Sequence, residues 1–266
     1  DKGAIGLKGS YKKTLYLRLF ERKVFINAAL THYTSDDESD QSYFSKITGK
    51  KLVIPNGIDI KSYQSASDKS LPENYRSLHN KKLVFFLGRL NYIKGLDILV
   101  QSWPKVIAEY PDAHLVIAGP DNDGYKKNIV VIIDLLKISD SITFTGELDF
   151  SDKITFLKAS EMLVAPSYLE SFGMSIVEAM ACAKPVIVSN KVNISPIIGH
   201  YNAGIISSCD SSEFGSAIVN MLGSQEEAAV KGNNGSRLVT ENFELNAVTG
   251  KMISAYEKLV LEHQAE

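Results

Sequence analysis

Between Lys81 and Ser207 the chain alternates short apolar segments with longer amphipathic ones, and this alternation constrains the fold more than any other feature of the sequence. The apolar segments are KLVFFLG (82–88), AHLVIAG (113–119), SITFTG (141–146), EMLVAPS (161–167), KPVIVS (184–189) and AGIIS (203–207). Each is rich in branched side chains and ends at glycine, proline or serine. Because runs of this kind are typical of strands buried on both faces, they predict a parallel sheet.

The intervals between these strands place apolar side chains at helical spacing, at residues 95–110, 125–137 and 149–159. Strands that alternate with helices in this way predict an α/β fold, a doubly wound parallel sheet of the Rossmann-like kind. After the last strand, residues 211–262 predict consecutive helices that are broken near GSQEE (223–227) and KGNNG (231–235).

The start of the chain falls outside this alternation. Residues 14–35 predict a helix that runs into a strand, residues 36–47 a second helix, and residues 51–59 a strand that ends in a turn. These few elements cannot form a hydrophobic core by themselves. We therefore expect residues 1–54 to be the end of an earlier domain whose first part is missing. A surface or disordered loop is expected at residues 61–80.

Composition and charge disfavour several classes of function. A formal net charge of -2 over 266 residues argues against a nucleic-acid binder. No apolar run reaches the ~18 residues that a membrane-spanning helix needs, and we see no signal peptide pattern. Cys182 and Cys209 are the two cysteines, which suits a reducing compartment better than a disulfide framework. We therefore expect a cytoplasmic protein.

A basic amphipathic stretch near the start allows a second location, at the inner face of the membrane. Its cations are Lys8, Lys12, Lys13, Arg18, Arg22 and Lys23. A solvated helix face is the favoured interpretation, and docking on anionic lipid, which would make the protein a peripheral membrane protein, is the alternative.

Two cations follow the first strand of the predicted sheet. Arg89 and Lys94 lie between Gly88 and Gly95, glycines that let the backbone turn tightly and let a ligand approach. Ligands of open α/β sheets bind beyond the carboxyl ends of the strands, and two cations there suit a phosphate or diphosphate. Spacing alone leaves open the alternative that both are solvated surface charges.

The segment ESFGMSIVE (170–178) follows the fourth strand and holds two glutamates. A helix is expected to begin near Phe172 or Gly173, with Glu170 ahead of it and Glu178 about one and a half turns inside. At ~1.5 Å of rise per residue the two carboxylates are too far apart to share a proton. We expect them to contact two parts of one elongated ligand, with the bare amides at the helix start binding an anion.

Each glutamate also has an interpretation without a ligand. Glu170 could merely favour the helix dipole, and Glu178 could be a surface residue. However, residues 179–188 are apolar, so the helix is expected to be buried, and an ionised Glu178 would then need a partner.

Together these motifs resemble a known family. G-R-x4-K-G at 88–95 and E-S-F-G-x4-E-A-M-A at 170–181, preceded by IPNGID at 54–59, are similar to the family 4 retaining glycosyltransferases of the GT-B fold. The resemblance spans about Val53 to Asn190. It implies two Rossmann-like domains that face a cleft, the first for the acceptor and the second for a nucleotide-sugar donor.

The resemblance also implies domain limits. Residues 1–54 would be the end of the acceptor domain, residues 55–245 the donor-binding domain, and residues 246–266 a helix that crosses back to the first domain. The glycine-rich loop that closes over the donor would lie in the missing part, so we expect this chain alone to bind the donor but to be inactive.

Residue roles follow from the resemblance for the motif positions. Arg89 and Lys94, beside Gly88, would hold the donor diphosphate and stabilise it as leaving group. Glu170 would face the donor sugar, as nucleophile or as electrostatic support. Glu178 would accept hydrogen bonds from the ribose hydroxyls.

Two backbone regions complete the implied site. Phe172, Gly173 and Met174 would lend amides to the sugar and phosphates. The loop at Glu147 and Leu148 would hold the nucleobase, largely through its backbone.

The implied activity is transfer of a sugar from a nucleotide-diphosphate donor to a sugar, lipid-linked or other acceptor, in the synthesis of a polysaccharide, glycolipid or glycoconjugate. No metal ion or other cofactor is expected. A non-catalytic nucleotide-sugar binding domain and a nucleotide-sugar hydrolase or epimerase are the alternatives. A glycosidase needs a second carboxylate within roughly 5–9.5 Å of the first, which Glu178 is not expected to supply.

Some positions depart from the family or only look functional. Ala183 replaces a common glycine, a change we expect to cost little, and residues 190–198 differ from the family pattern at the cleft rim. Asp121-Asn122-Asp123 looks like a metal-binding D-x-D, but we interpret it as a polar turn. His114 alternates within a strand and predicts a core histidine with a hydrogen bond.

Overall fold

The computed structural model describes residues 15–16, 20–42, 49–65 and 70–264. Contacts divide the chain into two compact units, Asp1–Ile58 with Asn242–Glu266, and Asp59–Glu241. In chain order the helices and strands are α1 (Arg22–Asn27), β1 (Thr31–Tyr33), α2 (Asp36–Gln41), β2 (Lys51–Val53), α3 (Ile60–Gln64), β3 (Lys82–Leu87), α4 (Leu96–Glu109), β4 (Ala113–Ala118), α5 (Lys126–Leu136), β5 (Ile142–Gly146), α6 (Phe150–Ala159), β6 (Met162–Ala165), α7 (Met174–Ala181), β7 (Val186–Ser189), α8 (Ser195–His200), β8 (Gly204–Ser207), α9 (Ser211–Gly223), α10 (Gln225–Asn242) and α11 (Leu245–Gln264).

The larger unit is built on a parallel sheet of six strands in the order β5-β4-β3-β6-β7-β8. Phe85 of β3 pairs with Val116 of β4 on one side and with Leu163 of β6 on the other. The winding therefore changes direction between β3 and β6, which makes this point the topological switch of the sheet. The predicted fold class is confirmed, and each of the six strands predicted for this sheet is present with its ends shifted by at most two residues.

The core of this unit lies between the sheet and the helices on its faces. All six residues of β4 are buried, as are the side chains of Trp103 on α4 and Phe214 on α9. The Trp103 indole nitrogen donates to the hydroxyl of Ser141 at 2.9 Å, so burial leaves its one polar atom paired. Each large apolar side chain buried in this way contributes about 1.5–3 kcal/mol to folding.

The segment at residues 61–80 is more ordered than the sequence predicts. It contains most of α3 and a 3₁₀ helix at Glu73–Leu78, although residues 66–69 lie outside the described residues. Tyr63 and Leu78 are buried, at 5% and 4% exposure. The prediction of a surface or disordered loop was wrong because these apolar side chains pack on the domain.

The predicted break at residues 231–235 was also wrong, because α10 runs through it without interruption. A Cβ at Gly232 would lie 2.1 Å from the carbonyl oxygen of Ala183, and one at Gly235 would lie 2.9 Å from Cγ of Met180. These glycines therefore allow the helix to approach its neighbour closely. Ala183 itself has φ 54°, a left-handed conformation that costs an L-residue roughly 1–2 kcal/mol, so alanine there is strained rather than neutral.

In the smaller unit, β1 pairs in parallel with β2, from Thr31 opposite Lys51 to Tyr33 opposite Val53. The Ser35 hydroxyl caps α2 by accepting from the amide of Glu38, and the Glu38 carboxylate accepts from the amide of Thr34 at 2.7 Å. These paired end contacts explain why so acidic a segment begins a helix.

A hydrogen bond and an ion pair connect the last helix, α11, to other residues of the same unit. The amide of Leu245 donates to the carbonyl of Ile58 at 3.0 Å, and Lys50 pairs with Glu262 at 2.5 Å. The assignment of residues 1–54 to an acceptor domain, and of residues 246–266 to a helix that crosses back to it, stays a prediction.

Some predictions at the start of the chain lie outside the described residues. These are residues 14 and 17–19 of the first predicted helix, residues 43–47 of the second, and the cations Lys8, Lys12, Lys13 and Arg18. Among the helices that the structure does describe, none has the length and apolar character needed to cross a bilayer.

Candidate functional site

The candidate site lies at the switch point of the sheet, where the loops that leave β3 and β6 meet. These strands are neighbours, and the amide of Tyr168 in the second loop donates to the carbonyl of Ile93 in the first at 2.8 Å. Crevices beyond the carboxyl ends of strands at such a point are where open α/β sheets bind ligands.

The loop after β3 has a backbone that fixes the position of Lys94. Asn91 caps a 3₁₀ turn at Tyr92–Lys94 by accepting from the amide of Ile93, and Gly95 follows with φ 67°. A Cβ at Gly95 would lie 2.1 Å from the carbonyl oxygen of Pro166, so only glycine lets the two loops approach this closely.

Lys94 forms an ion pair with Glu170, bringing together two residues that lie 76 positions apart in the chain. The two side chains are 23% and 16% exposed, so each charge is largely removed from water and compensates the other. Arg89 in the same loop is exposed, and it makes no ion pair with any residue that the structure describes.

The segment after β7 fixes the backbone of Glu170. The amide of Glu170 donates to the carbonyl of Lys191 at 3.3 Å, and the amide of Asn193 donates to the carbonyl of Glu170 at 2.9 Å. This segment, residues 190–198, departs from the family pattern in sequence, but it supports the first glutamate from the adjacent strand connection.

Helix α7 begins without a side-chain cap. Its N-cap is Gly173, with φ 82°, and a Cβ there would lie 2.7 Å from Cδ1 of Ile176 and 3.2 Å from Cγ of Glu170. Phe172 is buried and Met174 is 36% exposed. Because no side chain caps them, the first amides of this eight-residue helix remain available to an anion, which the helix dipole also favours.

Glu178, one turn further along α7, has its own set of partners. Its Oε1 accepts from the ammonium of Lys153 at 2.6 Å and from the hydroxyl of Tyr63 at 2.8 Å. The side chains of Glu178 and Lys153 are 13% and 19% exposed. Burial, and then the charge of Glu178, raise the pKa of the Tyr63 phenol far above its ordinary value, so Tyr63 acts as a hydrogen-bond donor.

The family follows from a match to a family model. Residues 67–237, more than half of the chain, match the model described as Glycosyl transferases group 1. The chain belongs to the group 1 glycosyltransferases. This confirms the family that the two motifs indicated.

Three similar proteins illustrate the relationship. Spore coat protein SA of Bacillus subtilis is 30% identical over 232 residues, which cover 82% of this chain and 61% of that protein. Sucrose-phosphate synthase from Thermosynechococcus elongatus superposes with a TM-score of 0.81 at 23% identity, covering 98% of this chain and 67% of the synthase. Anabaena HepE in complex with UDP superposes with a TM-score of 0.82 at 20% identity, covering 95% of this chain and 70% of HepE.

These likenesses show the fold, which is that of GT-B glycosyltransferases. The chain spans about three fifths of the length of the Bacillus relative.

In this group 1 glycosyltransferase chain, the two glutamates form ion pairs with different lysines. Glu170 pairs with Lys94 in the loop after β3, and Glu178 pairs with Lys153 on helix α6. Glu178 therefore has the partner that its apolar surroundings demand, and the surface interpretation was wrong. The roles of both glutamates towards a ligand stay predictions.

The loop expected to hold a base lies at the end of β5. Glu147 is exposed and Leu148 is half-buried, directly before the start of α6, the helix that carries Lys153. The amide of Gly119 donates to the carbonyl of Gly146 at 2.8 Å, which fixes the start of this loop against the neighbouring connection.

Sequence reasoning missed Tyr63, Lys153 and Asn193. Tyr63 fell in the segment predicted as a loop, and Lys153 fell on a helix face that looks solvated. The one available signal was the requirement that a buried Glu178 have a cation, which the first turn of the preceding helix could supply.

The predicted look-alikes behave as ordinary structure. Asp121 accepts from the amide of Lys126 at 3.3 Å, and Asp123 accepts from the side-chain amide of Asn91 at 2.5 Å. Within the described ranges, no three histidine, cysteine, aspartate or glutamate side chains are grouped so that they could hold a metal ion. His114 is the predicted core histidine, 6% exposed and 2.8 Å from the hydroxyl of Thr143.

A cavity of about 590 Å³ borders this site, because Tyr63, the hydrogen-bond partner of Glu178, is part of its lining. The lining also includes Lys158, Cys182 and Lys184, which precede β6 and β7, so the cavity extends to the amino edge of the sheet. The ligand expected by the switch-point argument belongs at the opposite edge.

Proposed function

We propose that this chain is the donor-binding half of a retaining glycosyltransferase. The enzyme would move a sugar from a nucleoside diphosphate to an acceptor in the synthesis of a polysaccharide, glycolipid or glycoconjugate. The observation that carries the proposal is the Lys94–Glu170 pair at the switch point, next to the uncapped start of α7. Anabaena HepE, which shares the fold, was solved in complex with UDP.

The charges at this site suit a diphosphate leaving group. When the bond from the anomeric carbon to the diphosphate oxygen breaks, negative charge develops on the diphosphate. Arg89, Lys94 and the first amides of α7 would stabilise that charge more in the transition state than in the ground state. Arg89 is exposed and can move to a ligand without breaking an ion pair to a described residue.

Retention follows if the acceptor attacks from the face that the diphosphate leaves. The new bond joins the acceptor oxygen to the anomeric carbon, and the acceptor proton passes to an oxygen of the departing diphosphate. Glu170 then stabilises the positive charge that develops on the sugar ring. The positive groups named above neutralise the diphosphate, so we propose that the reaction needs no metal ion.

The ribose would bind at Glu178, whose Oε1 already accepts from Lys153 and Tyr63. No described residue donates to Oε2, which leaves this oxygen for ribose hydroxyls. The acceptor would be a sugar or lipid-linked molecule, met in the cytoplasm or at the inner face of the membrane.

Calorimetric titration with UDP, GDP and ADP, each without and with Mg²⁺, tests the proposal. We expect one nucleotide to bind saturably without Mg²⁺, and Arg89→Ala to weaken that binding at least tenfold. Arg76→Ala, which removes an exposed arginine elsewhere in the same unit, should leave the affinity unchanged. Absence of binding to all three nucleotides, or equal binding by Arg89→Ala, would contradict the proposed donor site.

A nucleotide-sugar binding unit without catalysis is the second candidate. The two candidates differ in turnover. Release of the nucleoside diphosphate from the matching nucleotide-sugar, when this chain is incubated with it, supports catalysis by the chain alone, and binding without release supports the second candidate.

A further inference from the structure

Resting on the proposed function, we propose that Lys153 and Tyr63 are positioning residues for the ribose of the donor. They would orient the carboxylate of Glu178 through its Oε1, so that its Oε2 is presented to the ribose hydroxyls. In this proposal Glu178 contacts the ribose of a ribonucleoside diphosphate. Lys153, Tyr63 and Phe150 hold Glu178 in place.

The first observation is the shared oxygen. Lys153 and Tyr63 both donate to Oε1 of Glu178, at 2.6 and 2.8 Å, and the Lys153 ammonium also lies 3.4 Å from the Tyr63 hydroxyl. A carboxylate held by two donors on one oxygen cannot rotate without breaking both bonds. Its second oxygen is thus fixed in direction before any ligand arrives, and such preorganisation reduces the entropy lost on binding.

The second observation is that Lys153 is itself restrained. Its ammonium lies 5.3 Å from the ring centroid of Phe150 and 5.7 Å from that of Tyr63. The two rings pack edge to face with centroids 5.3 Å apart. A lysine held between two aromatic rings loses little further freedom when the ligand binds, because cation–π contact has already ordered it.

The third observation is the combination of charge and burial. Glu178 and Lys153 are mostly buried, so removal of the cation would leave the carboxylate without a compensating charge and with one donor fewer on its Oε1. Its Oε2 would then be held less firmly in the direction of the ribose hydroxyls. Loss of Lys153 should therefore weaken the contact to the ribose specifically.

The experiment compares each ribonucleoside diphosphate of the UDP, GDP and ADP panel with its 2′,3′-dideoxy counterpart on the wild-type chain and on Lys153→Met. We expect Lys153→Met to weaken binding of the ribonucleotide about tenfold and binding of the dideoxy nucleotide less than twofold. Tyr63→Phe, which removes one hydroxyl, should show the same pattern with a smaller change. Lys158→Met on the same helix is the matched control and should bind both nucleotides as the wild type does.

Equal weakening of both nucleotides by Lys153→Met would overturn the inference, since it would indicate a general structural or electrostatic role. Unchanged binding of both would overturn it as well. Thermal unfolding of each variant checks that it is folded, and Tyr63→Phe provides the test if Lys153→Met is not. Failure of the wild-type chain to bind any ribonucleotide would instead refute the donor site itself, and this inference with it.

Discussion

At the scale of single residues, each glutamate of the ESFGMSIVE segment accepts from its own lysine, one in the loop after β3 and the other on helix α6. Lys94 pairs with Glu170, and Lys153 pairs with Glu178. Each carboxylate is mostly buried and is compensated by its own cation. The geometry therefore suits recognition of two parts of one ligand.

Gly95 decides where Lys94 lies, and its replacement is the first prediction. Gly95→Ala should lower the free energy of unfolding by about 3 kcal/mol or more, because the methyl group would lie 2.1 Å from a backbone oxygen at a φ of 67°. Gly124→Ala is the matched control, with φ 68° and no atom within 4 Å, and should cost only roughly 1–2 kcal/mol.

Urea unfolding of both variants at neutral pH measures the difference. Equal losses in the two variants would mean that the approach of the two loops is not the constraint at Gly95.

At the scale of elements, α10 shows how packing overrides a local signal. Its sequence KGNNG (231–235) contains two glycines, each costing about 1 kcal/mol in a helix relative to alanine. The helix nevertheless continues, because these glycines face Ala183 and Met180 at distances that no Cβ could occupy. The cost in propensity is offset by the burial that close approach allows.

Gly232→Ala should therefore destabilise the protein by about 2 kcal/mol or more, although alanine is the better helix former. Its Cβ would lie 2.1 Å from the backbone oxygen of Ala183, an atom that cannot move aside. Gly250→Ala on α11 has no atom within 4 Å of the added Cβ and should stabilise its helix by about 0.5–1 kcal/mol.

Circular dichroism during thermal unfolding measures both changes. A rise in Tm for Gly232→Ala would show that α10 does not depend on this close contact.

At the scale of the whole molecule, the pH dependence of stability is expected to contain a contribution from His114 on strand β4. Burial, and secondarily the charge of Lys81, lower the pKa of His114 to about 4 in the folded protein, against 6.5 for the ordinary side chain. The unfolded chain therefore binds more protons than the folded one between these values. Stability from this group is complete above pH 6.5 and is lost as the pH falls towards 4.

We expect this loss to reach about 2–3 kcal/mol at pH 4. The variant His114→Gln lacks the imidazole and should not lose this stability on acidification. The difference in unfolding free energy between wild type and variant should therefore shrink as the pH falls. His79→Gln changes an exposed histidine and should leave the pH profile unaltered. A constant difference between wild type and His114→Gln from pH 7 to 4 would contradict the assignment.

Much of the fold could be predicted because its signals are local. The buried strand at 113–118, for example, is a nearly continuous apolar run, and the helix predicted at 149–159 is present as α6. The predictions that failed concerned segments whose local signals are weak. Tyr63 lies in a short helix between polar stretches, and only its contacts with the domain fix that helix.

The sequence by itself determined the alternation of strands and helices, the two motifs, and the position of Glu170 ahead of a helix that contains Glu178. These properties depend on side chains within a few residues of one another, so they can be inferred from spacing. Only the tertiary structure decided the strand order, the continuity of α10, and the partners of each glutamate. Those depend on contacts between residues far apart in the chain, such as Lys94 with Glu170, whose pairing is set by which strands become neighbours in the sheet.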